Sequence, residues 1–287
     1  MLLTIAALGL IAVLGAATGQ QVAWASIASS HRLNLILLVV AFILRALRRA
    51  EGWALALIAV ALFRLLGTTL IHLSYFRFPF GEATGDLLLE RVDALMGYSW
   101  PAAVALAADW PAIARPLAAV YHSSIPQLAL VVVVLAATGR HLALHRFMVT
   151  SALTLAGTYA IWALMPTLGP AVLHPVDPAV AESIRLVVNE RYVAAMLSLA
   201  QDGPGVIGAG PLIGAVAFPS FHMIMACLAT WSLRGTVLGW PVFALNLLVV
   251  PATLLHGGHH LVDLVGGLLL FALCVRVAAR LVPEPRP

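Results

Sequence analysis

The sequence predicts an all-α polytopic membrane bundle of about eight spans, and three observations carry that reading. Of 287 residues, 62% are hydrophobic and only 10% charged, whereas water-soluble domains run near half apolar and a quarter charged. The apolar residues gather into eight runs of spanning or near-spanning length, a helix needing about 20 of them to cross the hydrocarbon core. All sixteen basic residues are arginine, scattered between those runs. Despite a net charge of +4, such scatter marks membrane topology and excludes a nucleic-acid partner. Cys227 and Cys274 lie inside apolar runs with no CxxC pattern, so a disulfide framework is unsupported and the redox compartment stays open.

In order, the runs cover residues 2–19, 33–47, 53–72, 117–138, 147–166, 220–233, 240–255 and 260–277. No basic residue precedes the first, which favours a retained span over a cleaved signal peptide. With the N-terminus inside, nine arginines fall on inside connections: Arg45, Arg48, Arg49, Arg140, Arg146, Arg234, Arg276, Arg280 and Arg286. Six fall outside (Arg32, Arg77, Arg91, Arg115, Arg185 and Arg191), and Arg64 lies within a span. The inside loops are also shorter, so their arginine density is far higher, as the positive-inside rule requires. Both termini are then expected in the cytoplasm, with the opposite face in the periplasm of a bacterium.

Two outside segments exceed plain turns. Residues 73–112 mix Asp86, Glu90 and Asp93 with leucines at helical spacing, predicting a helix that lies on the interface or packs over the bundle mouth, with the acids as its wet face. Trp100 and Trp110 would anchor it at headgroup depth. Residues 167–219 are rich in proline and glycine, with an amphipathic stretch around 182–197. Their DGPGVIGAGPLIG run lacks the G-K-[ST] ending of a P-loop.

That segment leads into Phe218-Pro219-Ser220-Phe221-His222, which pairs with His256-Gly257-Gly258-His259-His260-Leu261-Val262-Asp263. Both stretches open a span from the outside face, where first-turn N–H groups lack partners and favour anions. Ser220 suits the N-cap, which puts His222 in the first turn. Gly257 and Gly258 let the backbone approach a ligand closely. His259 and Asp263 are four apart and share a face if their helix begins near Gly258. A carboxylate accepting the Nδ1–H of His259 leaves Nε2 free to attack. His222 could then protonate a leaving oxygen and afterwards activate water. This set of groups suits phosphoryl transfer through a phosphohistidine. From Ser220 to Arg234 a helix runs only about 21 Å, against a core of about 30 Å, so the site lies recessed where a lipid head arrives laterally.

Rival readings remain open at this point. An intramembrane polar cluster can simply hold helices together. His256, His259, Asp263 and His222 also supply metal-ligand types. An i+4 carboxylate partner argues against a rigid metal ligand at His259, so no metal and no cofactor is expected. His260 reads as a packing residue beside the nucleophile, and His31, His72, His122, His141, His145 and His174 as packing or interfacial groups.

The FPSFH and GGHHLVD stretches resemble the second and third signatures, P-S-x-H and H-x-x-x-D, of the type 2 phosphatidic acid phosphatase superfamily. The third motif, lacking arginine, is similar to the branch of inositolphosphorylceramide and sphingomyelin synthases. LLLERVDALMGYSWP, AVYHSSIPQ and MPTLGP also look like bacterial members of that branch. The resemblance covers roughly residues 85–275 and implies a six-helix catalytic core. Residues 1–75 would then be a three-span extension, 76–280 the catalytic domain and 281–287 a cytoplasmic tail. It implies His259 as nucleophile, Asp263 as its orienting partner, His222 as acid and base, and Ser220 as a phosphate ligand.

Two departures stand out. The first superfamily motif, K-x6-R-P, is absent because the chain has no lysine, and Thr253 occupies the place of an expected arginine. Positive charge for the phosphate is therefore sought at Arg185, Arg191 and His256, beside the Gly257 and Gly258 backbone. The expected activity is a metal-independent lipid phosphatase or lipid phosphotransferase on lipid phosphate or phospholipid in the bilayer. The alternative is a catalytically altered lipid-binding or transport protein of the same fold.

Overall fold

The computed structural model describes residues 1–48, 50–80, 84–210 and 212–284. Arg49 and Arg286, two of the arginines assigned to the inside, and the last part of the 281–287 tail lie outside the described residues. The chain begins with α1 (Leu2–Thr18), α2 (Trp24–Ser30), α3 (Arg32–Ala46) and α4 (Glu51–Ser74). Next come α5 (Asp86–Leu95), α6 (Trp100–Asp109), α7 (Pro111–His122), α8 (Ser124–Ala137) and α9 (His141–Leu164). The short α10 (Pro178–Ile184) and α11 (Glu190–Asp202) precede α12 (Phe221–Leu233), α13 (Gly239–His256) and α14 (Leu261–Leu281). Among the described residues the only β contact is an isolated bridge between Val22 and Ile207.

Four helices, Glu51–Arg77, His141–Leu164, Gly239–His256 and Leu261–Leu281, are long and apolar enough to cross a membrane. Two bent pairs, α2–α3 at 45° and α7–α8 at 47°, raise that to six. The shorter apolar helices α1 and α12, of 17 and 13 residues, occupy the two remaining runs. The protein is an all-helical integral-membrane bundle.

α12 sits centrally, packed on α8, α9, α13 and α14. Its Ile224 and Leu228 meet Val131 and Leu135 of α8 and Leu144 of α9 in the main core. α4 packs on α1, α3, α8 and α9, and its Leu55, Ala56 and Ala59 belong to the same core. It therefore supplies a sixth apolar unit beside the five that follow residue 76. Arg64, inside that helix, donates from Nε to Asn34 Oδ1 at 3.2 Å, which gives a charge on an apolar helix a polar partner across the α3–α4 contact.

Several elements depart from expectation. α5 is inverted relative to a water-facing helix: Asp86 and Asp93 are buried, while Leu87, Leu88 and Leu95 point outward. In a membrane protein the apolar side belongs to lipid, so acids that find donors turn inward. Trp100 does not anchor at the surface. It is buried, with its Nε1–H donating to Leu255 O, whereas Trp110 is exposed as expected. The expected amphipathic stretch is two helices, interrupted at Arg185, whose φ of 55° is left-handed and ends α10. The run 117–138 likewise breaks between His122 and Ser124, because Pro126, lacking an N–H, sits in the first turn of a new helix.

Candidate active site

α12 and α14 start side by side at one end of the bundle. Ser220 N donates to Asp263 O at 2.9 Å. Two glycines of α14 permit this approach: a Cβ on Gly267 would fall 2.5 Å from Ser220 O, and one on Gly266 2.5 Å from the Phe218 ring. Any side chain at Gly267 would separate the helix starts. Ser220 caps α12, its hydroxyl accepting from Met223 N at 3.4 Å, and His222 lies in the first turn.

The start of α14 is assembled differently. Gly258 has φ +56°, which no ordinary helix start tolerates, so the helix begins at Leu261 with His260 as N-cap. It begins three residues later than the glycine pair suggests. The His259–Asp263 contact forms nonetheless, with His259 Nδ1 and Asp263 Oδ2 2.9 Å apart. Here Asp263, on the third helical residue, reaches back past the cap, and its Oδ2 also accepts His260 N at 2.9 Å. Since a carboxylate only accepts, Nδ1 of His259 is the donor of this bond, and Nε2 is the nitrogen left outside it.

Across from it stands His222, with ring centroids 6.1 Å apart and planes at 64°. On its other side His222 stacks on Tyr121 of α7, 4.1 Å between centroids. Gly257 closes this corner: a Cβ there would lie 2.8 Å from both the His259 and the Tyr121 rings. Two imidazoles thus meet edge to face at this corner. One is held by a buried carboxylate and the other by an aromatic face.

Behind this pair lies a polar support that the sequence did not announce. Asp93 of α5 accepts from His260 Nδ1, Leu261 N and Val262 N, each at 3.0 Å. It thereby satisfies two free first-turn amides of α14 and complements the helix dipole. His260 is no mere packing group, since its Nε2 also stands 3.7 Å from Asp86 Oδ1. Asp86 in turn accepts from Leu168 N at 2.9 Å and Gly169 N at 2.8 Å. Gly169 presses on the glycine pair so closely that a Cβ would sit 2.3 Å from Gly258 O. The acids read as a wet face therefore brace the His259 loop. Glu90 pairs with His174 instead. Tyr98, buried beside this network, has its phenol pushed above the ordinary range by burial and then by Asp93 and Asp263, so it remains a donor.

The structure brings together His222, His259, Asp263, Ser220, Gly257 and Gly258. Among the described residues, no hydrogen bond or ion pair joins the side chains of the remaining expected phosphate ligands to them. His256 is buried, with Nε2 bonded to Ala114 O at 2.9 Å, and so ties α13 to α7. Arg185 and Arg191 are exposed, and among the described residues neither side chain makes a hydrogen bond or ion pair. Thr253 is buried, and its Oγ1 finds no partner among the described residues. Also among the described residues, no group of three or more His, Cys, Asp or Glu side chains is arranged to hold a metal ion.

A family profile, described as the PAP2 superfamily, matches residues 87–277. The chain belongs to the PAP2 superfamily. The match runs from α5 through most of α14 and so includes both helix starts and the Asp93 brace. Comparison with curated proteins and with solved structures finds no match. Membership points to phosphatase or phosphotransferase activity on a phosphorylated, lipid-like substrate.

Proposed function

We propose that this protein is a lipid phosphatase or lipid phosphotransferase that works through a phosphohistidine at His259, on the extracytoplasmic face. The observation that carries the reading is the facing pair of imidazoles, one of them bonded to Asp263 at 2.9 Å. In the first step His259 Nε2 attacks phosphorus, the bond from phosphorus to the leaving oxygen breaks, and His222 gives that oxygen its proton. In the second step His222 takes a proton from water or a lipid hydroxyl, whose oxygen attacks phosphorus as the P–N bond breaks. In this reading Ser220 and the Gly257–Gly258 backbone serve as ligands of the transferred group, with His256, Arg185 and Arg191 as outer candidates for its charge. Residues 76–280 carry this chemistry, with residues 1–75 as an extension and 281–287 as a cytoplasmic tail.

A lipid substrate is supported by a cavity of about 490 Å³ lined by Leu106, Ala107, Trp110, Leu117, Leu254 and Leu255. Ala114 also lines it and is bonded to His256, so this apolar groove runs beside the GGHH loop where an acyl chain would lie. The arginine distribution supports cytoplasmic termini and, in a bacterium, a periplasmic site. The motif likeness to inositolphosphorylceramide and sphingomyelin synthases supports a hydroxyl acceptor.

The test uses the full chain in proteoliposomes with a panel of phosphorylated lipids, with and without ceramide or diacylglycerol. Released phosphate and new lipid products are followed. His259→Ala and His222→Ala should each lower turnover by on the order of 10²-fold or more while the protein still inserts. Vanadate at about millimolar concentration should inhibit as a mimic of five-coordinate phosphorus, and a chelator should not. Normal turnover by either variant overturns the assignment of roles. A second reading, a lipid-binding or transport protein that has lost chemistry, is favoured by the absence of any lysine and by Thr253. Lipid flux that survives His259→Ala supports it.

A further inference from the structure

At the end of the bundle opposite the histidines lies a cavity of about 710 Å³, between the α8–α9 turn, α9, α12 and α14. Arg140, Arg146, Arg234 and Arg276 all line it. Arginines that set topology need only lie on the correct side of the membrane, but these four come from separate elements and converge on one concavity. Their contacts fix them without neutralising them. Arg140 Nη2 donates to Gly235 O at 2.6 Å, and Arg146 Nε to Val282 O at 3.0 Å. Arg234 lies over the Trp231 ring at 3.6 Å. Among the described residues the only carboxylate paired with any of them is Glu284, 3.4 Å from Arg146 and itself largely exposed. The Arg276 side chain makes no hydrogen bond or ion pair among the described residues. Partial desolvation and then the Arg146 charge hold Arg234 below its usual pKa, as a neighbouring like charge does. Phe147, Leu228, Ala272 and Val275 complete the wall, so the cavity is cationic at its rim and apolar toward the bundle.

We propose that this cavity is a second lipid site, which takes the phosphate head of an anionic phospholipid from the leaflet opposite the catalytic one. Fixed guanidiniums suit phosphate oxygens in forked pairs, and basic pockets between spanning helices are built for anionic heads. Apolar wall beside the charge fits the attached chain, which free phosphate lacks. α12 links the two sites, with Ser220 at one end and Arg234 at the other.

Native mass spectrometry of the detergent-purified full chain, titrated with phosphatidylglycerol or phosphatidylcholine, tests this. The His259→Ala variant serves as background so that turnover at the catalytic site does not consume the added lipid. Phosphatidylglycerol should be retained preferentially, and Arg234→Gln with Arg276→Gln should weaken it roughly tenfold or more. Ala272→Phe, which fills the cavity and leaves every charge in place, should do the same if the arginine pair fails to fold. Inorganic phosphate at about millimolar concentration should not displace the lipid. Equal retention of both lipids, unchanged affinity in a folded variant of either kind, or displacement by inorganic phosphate overturns the proposal.

Discussion

α12 and α14 begin at the same end of the bundle, yet their first turns are built by opposite strategies. α12 is capped from within: Ser220 serves its own helix through Met223 N. α14 is held by two carboxylates, one reaching back from its own third residue and one brought from α5, 167 residues away. The difference matches the two proposed roles. A nucleophile must present one nitrogen in one tautomer, so its loop is fixed by several bonds at once. An acid and base must exchange protons with a leaving group and an acceptor. His222, accordingly, is held by a ring stack on Tyr121.

The contrast can be broken piece by piece, and the largest effect is expected at Asp263. Asp263→Asn keeps the size but offers an amide that can bond His259 in the wrong tautomer. It should lower kcat on the order of 10³- to 10⁴-fold with little change in KM. A KM rise with kcat retained would mean that Asp263 serves binding instead of tautomer control. Asp93→Ala comes next, because it leaves the buried His260 ring and two partly buried amides without their acceptor. A loss of about 3 kcal/mol is expected, seen as a lowered midpoint in thermal or denaturant unfolding in detergent. A small effect there would mean that water replaces the carboxylate and that the start of α14 is less dependent on α5. Ser220→Ala should be mildest in stability, about 1 kcal/mol for a lost cap. A much larger fall in turnover than in stability would separate contact with phosphate from capping.

The two histidine stretches were legible because their chemistry is local: PSFH and GGHHLVD each fit within one turn and its approach. The eight apolar runs were legible for a similar reason, hydropathy being additive along the chain. Support from elsewhere in the chain was not. Asp86 and Asp93, seven residues apart, share one face of α5 with Leu89, and reading that face as wet assumes water outside the helix. With lipid outside, the assumption reverses and exposed leucines become the outer surface. Tyr121 lies 101 residues before His222 in the chain, and no periodicity connects it to a ring stack. The delayed start of α14 depends on Gly258 adopting positive φ, which GG permits but does not dictate. Arg185 and Arg191 drew attention as a source of positive charge for the phosphate, and the fold leaves them at the surface.

The most direct test of the central claim is to trap the covalent intermediate. Protein turning over phosphatidic acid labelled in its phosphate is quenched in alkali, digested and mapped. Alkali-stable, acid-labile label on the peptide that carries His259, absent from His259→Ala, is the predicted result. Turnover with no labelled protein at any time, or with label on a different residue, would contradict the account.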